Sequence, residues 1–121
     1  MNAVNKEQVL EALRHVYDPD HPNKSLVDLG VVDQKGIEVA GDALQIMYCM
    51  RAPLCPYSAA IGLLIRRALR ERFGTEVKVR IDQSHYQAGA VNDVLDDEVK
   101  CRELADKMEA SGLFRQCIRG L

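Results

Sequence analysis

The chain has 121 residues, 47% hydrophobic and 28% charged, enough for one domain that builds its own core without disulfide help. Lys plus Arg is 16 and Asp plus Glu is 18, a net charge of −2 that supplies no basic field for nucleic acid. No apolar run approaches a membrane span and the opening residues lack a signal-peptide core, so the expected compartment is the cytoplasm, with neither membrane nor nucleic acid as partner.

Asn5 predicts the cap of a first helix. Gln8 stands three residues on, as in a capping box, and Val4 and Val9 have the spacing of a hydrophobic staple. Val9, Leu10, Leu13, Val16 and Tyr17 form the apolar face. The helix is expected to stop near Tyr17, because Asp18 precedes Pro19 and is pushed out of the α region. Asp18-Pro19-Asp20-His21-Pro22-Asn23-Lys24-Ser25 is dense in turn formers and reads as a loop. Asp18, Asp20 and Asp28, with His21, make either a polar rim or a set of oxygen and imidazole ligands; tight turns use the same residues for conformation alone.

Gly30 suits a positive φ or a close backbone approach before the next strand. Val31, Val32 and residues 36–40 read as extended chain, and Gly41-Asp42 is a two-residue hairpin signal joining them to residues 44–50. In that second run Leu44, Ile46, Tyr48 and Met50 alternate with Gln45, Met47 and Cys49, the period of a half-buried strand. Cys49 therefore points away from Leu44 and Ile46.

The chain then turns through Met50-Arg51-Ala52-Pro53-Leu54-Cys55-Pro56-Tyr57-Ser58 into its longest apolar-faced helix. Ile61, Leu64, Ile65, Ala68, Leu69 and Phe73 recur at helical steps. Pro56 suits the first helical position, which sets Cys55 at or near the N-cap. Unpaired amides and the helix dipole favour negative charge there, so the thiol ionises more readily, and thiolate attacks electrophiles and ligates soft metals. A small buried side chain capping a core helix fits the same pattern. The helix spans about 27 Å from Pro56 to Phe73 and ends at Gly74. Arg66, Arg67, Arg70 and Arg72 crowd its polar side, with Glu71 set to pair with Arg67.

Val77, Val79 and Ile81 alternate with Lys78 and Arg80 as a third strand, and strand–helix–strand order predicts parallel pairing with the second. The fold class is α/β (α+β): a single small domain over residues 1–121, an α-β-β-α-β mixed sheet with helices on one face. After the third strand comes a polar exit loop, Asp82-Gln83-Ser84-His85-Tyr86-Gln87-Ala88-Gly89. It leaves the same sheet edge as the Cys55 turn, within reach of it for His85 and Tyr86. A C-terminal helical extension over 92–121 begins near Asn92, with Asp96, Asp97 and Glu98 at its positive end and a stripe of Leu95, Val99, Leu104, Ala105 and Met108. Gly112 ends it. The apolar tail around Phe114 and Ile118 packs either on this sheet or on another subunit. Cys49, Cys55, Cys101 and Cys117 contain no C-x-x-C and no zinc-ribbon or ferredoxin spacing, so they read as free thiols.

Three pieces in fixed order resemble one family: Tyr17-Asp18-Pro19-Asp20 after a first helix, Val27-Asp28-Leu29-Gly30 before a hairpin, and Ala52-Pro53-Leu54-Cys55-Pro56 opening a helix. The chain is similar over about residues 5–82 to the iron–sulfur cluster assembly accessory domain of SufT and PaaD, also found in the eukaryotic cytosolic iron–sulfur targeting complex. The resemblance implies a role in maturing iron–sulfur proteins by carrying or targeting clusters rather than by turnover. Position by position it matches Asp18, Pro19, Asp20, Asp28, Gly30, Cys55 and Pro56, with Cys55 as functional thiol and metal or cluster contact. Asp20 stands where the family usually has Glu, and Arg51 where Thr is usual, adding positive charge near Cys55. Leu54 replaces a common small residue, and Gln83-Ser84-His85-Tyr86 departs from the family's prolines and tryptophan.

The expected function is therefore an accessory factor in iron–sulfur cluster assembly or delivery, not an enzyme. Its partners would be assembly proteins and client apo-proteins, and its cargo a transient cluster or iron. One thiol cannot hold a cluster alone, so either two subunits of a homodimer each bring Cys55, with Cys49 or a carboxylate, or exchange with a partner is transient. Other readings fit the same residues. One is a thiol enzyme with Cys55 as nucleophile and His21 or His85 as base. Another is an interaction module without chemistry, and a third is a separate zinc or iron site from Asp18, Asp20, His21 and Cys55.

Overall fold

The computed structural model describes residues 4–19, 21–41, 43–50, 58–85 and 87–120. Its first helix, α1 (Lys6–Leu13), carries the predicted capping box: Gln8 N–H donates to Asn5 Oδ1 at 2.8 Å, and Asn5 N–H donates to Gln8 Oε1 at 3.1 Å. It ends about a turn before Tyr17. The reason is tertiary: Val16 forms an antiparallel bridge to Ile118, and Arg119 N–H donates to the His15 carbonyl at 2.9 Å. A partner at the far end of the chain captures the last turn before the proline can act.

The expected loop after α1 is instead a second small sheet. β1 (Tyr17–Asp18) pairs antiparallel with β2 (His21–Ser25), with an irregular register between Tyr17 and Asp18. Residues 21–24 are exposed and Ser25 is buried, so this hairpin is held by backbone pairing at its base rather than by an apolar face.

The main sheet follows the predicted pattern. A 3-10 turn (Gln34–Gly36) leads into β3 (Ile37–Ala40), which pairs antiparallel with β4 (Ala43–Tyr48), Ala40 opposite Ala43. β4 then pairs in parallel with β5 (Glu76–Ile81) along its whole length, from Ala43 beside Glu76 to Tyr48 beside Ile81. Leu44, Ile46, Tyr48, Val77, Val79 and Ile81 are buried, whereas Gln45, Met47, Cys49 and Lys78 face solvent. The sheet thus has one wet face, as alternation requires.

On the dry face lies α2 (Ser58–Phe73), which Gly74 stops with φ +63°. Its expected stripe is the centre of the core: Ile61, Leu64, Ile65, Ala68 and Leu69 have no solvent exposure. Glu71 reaches Arg67 at 3.9 Å, as the spacing predicted. The helix is buried on a second side too, because the C-terminal extension covers it.

That extension is not one helix. It breaks into α3 (Ala88–Asp96), α4 (Glu98–Ser111) and α5 (Leu113–Cys117). Asp97 makes the first break, with φ −94° and ψ 117°, accepting hydrogen bonds from Val99 N–H (2.9 Å) and Lys100 N–H (3.0 Å). A short carboxylate gains more as an N-cap than as an interior residue, so the acidic run starts a new helix where the sequence reading continued an old one. The apolar stripe shifts with it, leaving Val99 61% exposed. Gly112 makes the second break at φ +79°. Phe114 and Cys117 are buried, and the Arg67 guanidinium lies 4.0 Å from the centroid of the Phe114 ring, so the tail packs on its own chain. The result is an α+β fold with a mixed three-stranded sheet. No helix among the described residues is long and apolar enough to cross a membrane.

Candidate functional site

Between β4 and α2 runs the connection that carries the motif thiol. Asp20, Arg51, Cys55 and Pro56 lie outside the described residues, but both ends of the connection are defined. Tyr48, with no solvent exposure, is the clamp. Its hydroxyl donates to the Ser58 carbonyl at 2.6 Å, and its own carbonyl accepts from Asp82 N–H at 2.8 Å. One side chain thereby ties the end of a strand to the first turn of the helix, and one carbonyl ties that strand to the exit of β5. Gly62 makes this possible, since a Cβ there would lie 2.9 Å from Tyr48 Oη and 2.8 Å from Leu95 Cδ2. Neither Tyr48 nor Gly62 stood out in the sequence; the signal was an aromatic residue ending a strand and a glycine one helical turn into α2.

The departing chain is held from the other side by the Asp28-Gly30 motif. Ser25 Oγ accepts from Asp28 N–H at 3.1 Å and Asp28 Oδ2 accepts from Ser25 N–H at 3.2 Å, a reciprocal capping box. At the far end Gly30, with φ +72°, donates to the Val27 carbonyl, and Val31 donates to the Leu26 carbonyl. Those two bonds are a Schellman stop. The five residues 26–30 are thus a single capped turn that closes on itself. Its exit delivers Val31, whose carbonyl accepts from Cys49 N–H at 2.8 Å. Asp28 and Gly30 therefore shape backbone next to the strand end, and Asp28 spends its carboxylate on that turn. Cys49 is exposed, on the outward side that alternation assigned to it.

Asp18, expected at a polar rim, is buried at 5% exposure, and His21 Nδ1 lies 3.8 Å from its Oδ2. His21 itself stands in solvent, and Pro19 is half-buried in the turn between them. From the tail, Cys117 comes close enough to sense Asp18: burial pushes its thiol up, Arg119 opposes that, and the Asp18 carboxylate adds to it. Such a thiol is protonated and inert at neutral pH. Arg119 also covers the Tyr17 ring at 4.3 Å from its centroid. Among the described residues no group of three His, Cys, Asp or Glu side chains converges to hold a metal ion.

The exit of β5 is built by hydrogen bonds the sequence did not announce. The Asn92 side chain accepts from Ile81 N–H at 2.9 Å and donates to the Ile81 carbonyl at 3.3 Å, extending the sheet edge with a side-chain amide. Asp82 accepts from Ser84 N–H at 2.8 Å, and hydrogen bonds from Ser84 hold its carboxyl below the usual carboxylate range. His85, read as a polar loop residue, is buried at 8% exposure, and its Nδ1 accepts from Gln87 N–H at 3.1 Å. In the neutral ring Nε2 then carries the proton, so the lone pair a general base needs is already engaged.

The family described as "Iron-sulfur cluster assembly protein" matches residues 6–82. The match takes in α1, both sheets and α2, and stops where Asp82 bonds to Tyr48; α3, α4 and α5 fall beyond it. The chain is similar to Protein AE7-like 2 of Arabidopsis thaliana, 28% identical over 113 residues, covering 88% of this chain and 75% of that protein. It is also similar to MIP18 family protein FAM96A of Dictyostelium discoideum, 22% identical over an alignment of 142 residues, covering 98% of this chain and 94% of that protein.

Proposed function

Because this chain belongs to the iron–sulfur cluster assembly protein family, we propose that it is an accessory factor that presents the Cys55 thiol to a cluster or a client during assembly or delivery. The observation that carries this reading is the match over residues 6–82, which contains the whole connection between β4 and α2 and every buttress around it. The geometry at the two ends supports it. The Tyr48–Ser58 bond and the Cys49–Val31 bond fix where the connection leaves and re-enters the fold, so a thiol within it is presented from a firm frame.

A single thiol does not satisfy a cluster, which takes four ligands in most proteins. A cluster handled through one thiol is cargo rather than a resident group, and its remaining ligands come from a partner or a second copy. The partners are assembly proteins and client apo-proteins, met in the cytoplasm. A thiol enzyme with His85 as its base draws no support, because His85 Nδ1 is already occupied by Gln87 N–H.

The test is Cys55→Ser. The variant is expected to keep the wild-type circular dichroism spectrum, to lose support of an iron–sulfur client enzyme in cells lacking the native protein, and to lose any iron and sulfide that co-purify anaerobically with the wild type. Full client activity with Ser at this position would reject the role of the thiol.

A further inference from the structure

A hollow of about 350 Å³ lies where α2 meets α3 and α4, outside the Cys55 connection. Arg66 and Arg70, one turn apart on α2, and Arg102 on α4 line it above a floor that includes Leu95 and Ala105. Elsewhere most of the described arginines find partners. Arg14 pairs with Glu11, Arg67 with Glu71 and Glu109, and Arg80 with Asp96 at 2.7 Å, while Arg72 and Arg119 lie over aromatic rings. None of the three at the hollow pairs with a carboxylate among the described residues. Asp96 is at the rim but is held by Arg80, which leaves Glu98 as the one unengaged carboxylate against three guanidinium charges. The hollow is therefore positive, and like charges gathered on two packed helices repel unless an anion joins them.

We propose that this hollow is a binding site for a phosphate-class oxyanion. Each guanidinium is a planar fork of five N–H donors whose geometry matches oxyanions in bidentate fashion. Three forks lining one hollow offer more donors than the two oxygens of a carboxylate can accept; the four oxygens of a phosphate or the six terminal oxygens of a pyrophosphate meet them. Two of the arginines sit on the helix the family match covers and one on the extension beyond it, so the site exists only because the extension is present. None of the residues that line it belongs to the thiol-bearing connection, although α2 follows that connection in the chain.

The test is an NMR titration of the 15N-labelled full chain with inorganic phosphate, pyrophosphate, ADP and a polyglutamate peptide in separate arms at low salt. Saturable shifts of the amides around Arg66, Arg70 and Arg102 are expected in at least one of the first three arms. Binding should weaken about tenfold in Arg70→Gln and in Arg102→Gln, each losing one charge-assisted contact. Arg115→Gln, outside the hollow, should leave it unchanged. A response to inorganic phosphate equal to the others identifies a free anion as ligand. A response confined to pyrophosphate and ADP identifies a diphosphate group. Shifts that never saturate, equal binding in the double variant Arg70→Gln/Arg102→Gln, or saturation only by a polyglutamate peptide would each overturn the proposal.

Discussion

Gly62→Ala is expected to destabilise the protein, against the ordinary rule for a helical glycine. In the middle of a helix that replacement gains about 1 kcal/mol from propensity alone. Here the added Cβ would stand 2.8 Å from Leu95 Cδ2 and 2.9 Å from Tyr48 Oη. The leucine methyl is the end of a flexible side chain, but the phenol oxygen is held by its 2.6 Å bond to the Ser58 carbonyl and sits on a ring with no exposure. Overpacking of this kind costs about 1–3 kcal/mol, and forcing the hydroxyl off its acceptor adds about 1 kcal/mol. The net loss is about 1–3 kcal/mol, or roughly 4–12 °C in Tm for a chain of this size. Urea titration followed by circular dichroism measures it directly. A double-mutant cycle then isolates the cause. Tyr48→Phe alone should cost about 1 kcal/mol for the lost hydrogen bond, yet adding it to Gly62→Ala should cost less, because removing Oη relieves the clash. A Gly62→Ala protein more stable than wild type, or strictly additive effects, would refute the claim that Tyr48 and Gly62 form one clamp.

Asp28 offers a second discrimination. If its work is the capped turn, Asp28→Ala should cost about 1 kcal/mol in denaturant titration, while Asp28→Asn, an equally good acceptor, stays within about half a kcal/mol of wild type and keeps client support. Full loss of function in Asp28→Asn with unchanged stability would assign the carboxylate a chemical role instead. For Cys117 the folded thiol titrates above its ordinary value of 9.0, so it adds stability that is complete below that pH and is lost as pH rises through the folded value. The stability difference between wild type and Cys117→Ala, measured in urea at steps from pH 7 to about pH 10, should shrink as pH rises; a constant difference contradicts the burial argument.

The sheet and the central helix were legible because their signals are local. Alternation across Leu44, Ile46 and Tyr48, the Gly41-Asp42 turn and the stripe from Ile61 to Phe73 each place residues by period alone. The Asn5–Gln8 capping box was equally legible, being complete within four residues. What failed was decided at a distance or by competition. α1 stops early because Ile118 and Arg119 capture Val16 and His15, a pairing no window of adjacent residues contains. The last helix divides at Asp97 because its carboxylate serves a cap better than an interior, a choice that charge counting alone misses. Gly30 takes the positive φ expected of it, whereas Asp28, expected at a polar rim or as an oxygen ligand, caps the same turn with Ser25. Tyr48 was legible only as a strand residue and Asn92 only as a helix start, because their hydrogen bonds to distant backbone groups leave no trace in composition or period.

The side of α2 that runs through Gly62, Arg66 and Arg70 meets Leu95, Cys101 and Ala105 from beyond the family-matched region. A fragment cut after β5 would strip the cover from that side and bare the notch at Gly62 to water. It would also free the edge at Ile81 that the Asn92 amide now closes, an invitation to sticking between copies. Helix and cladding are a matched pair, so grafting a foreign tail onto the same core would require recutting the face beneath it.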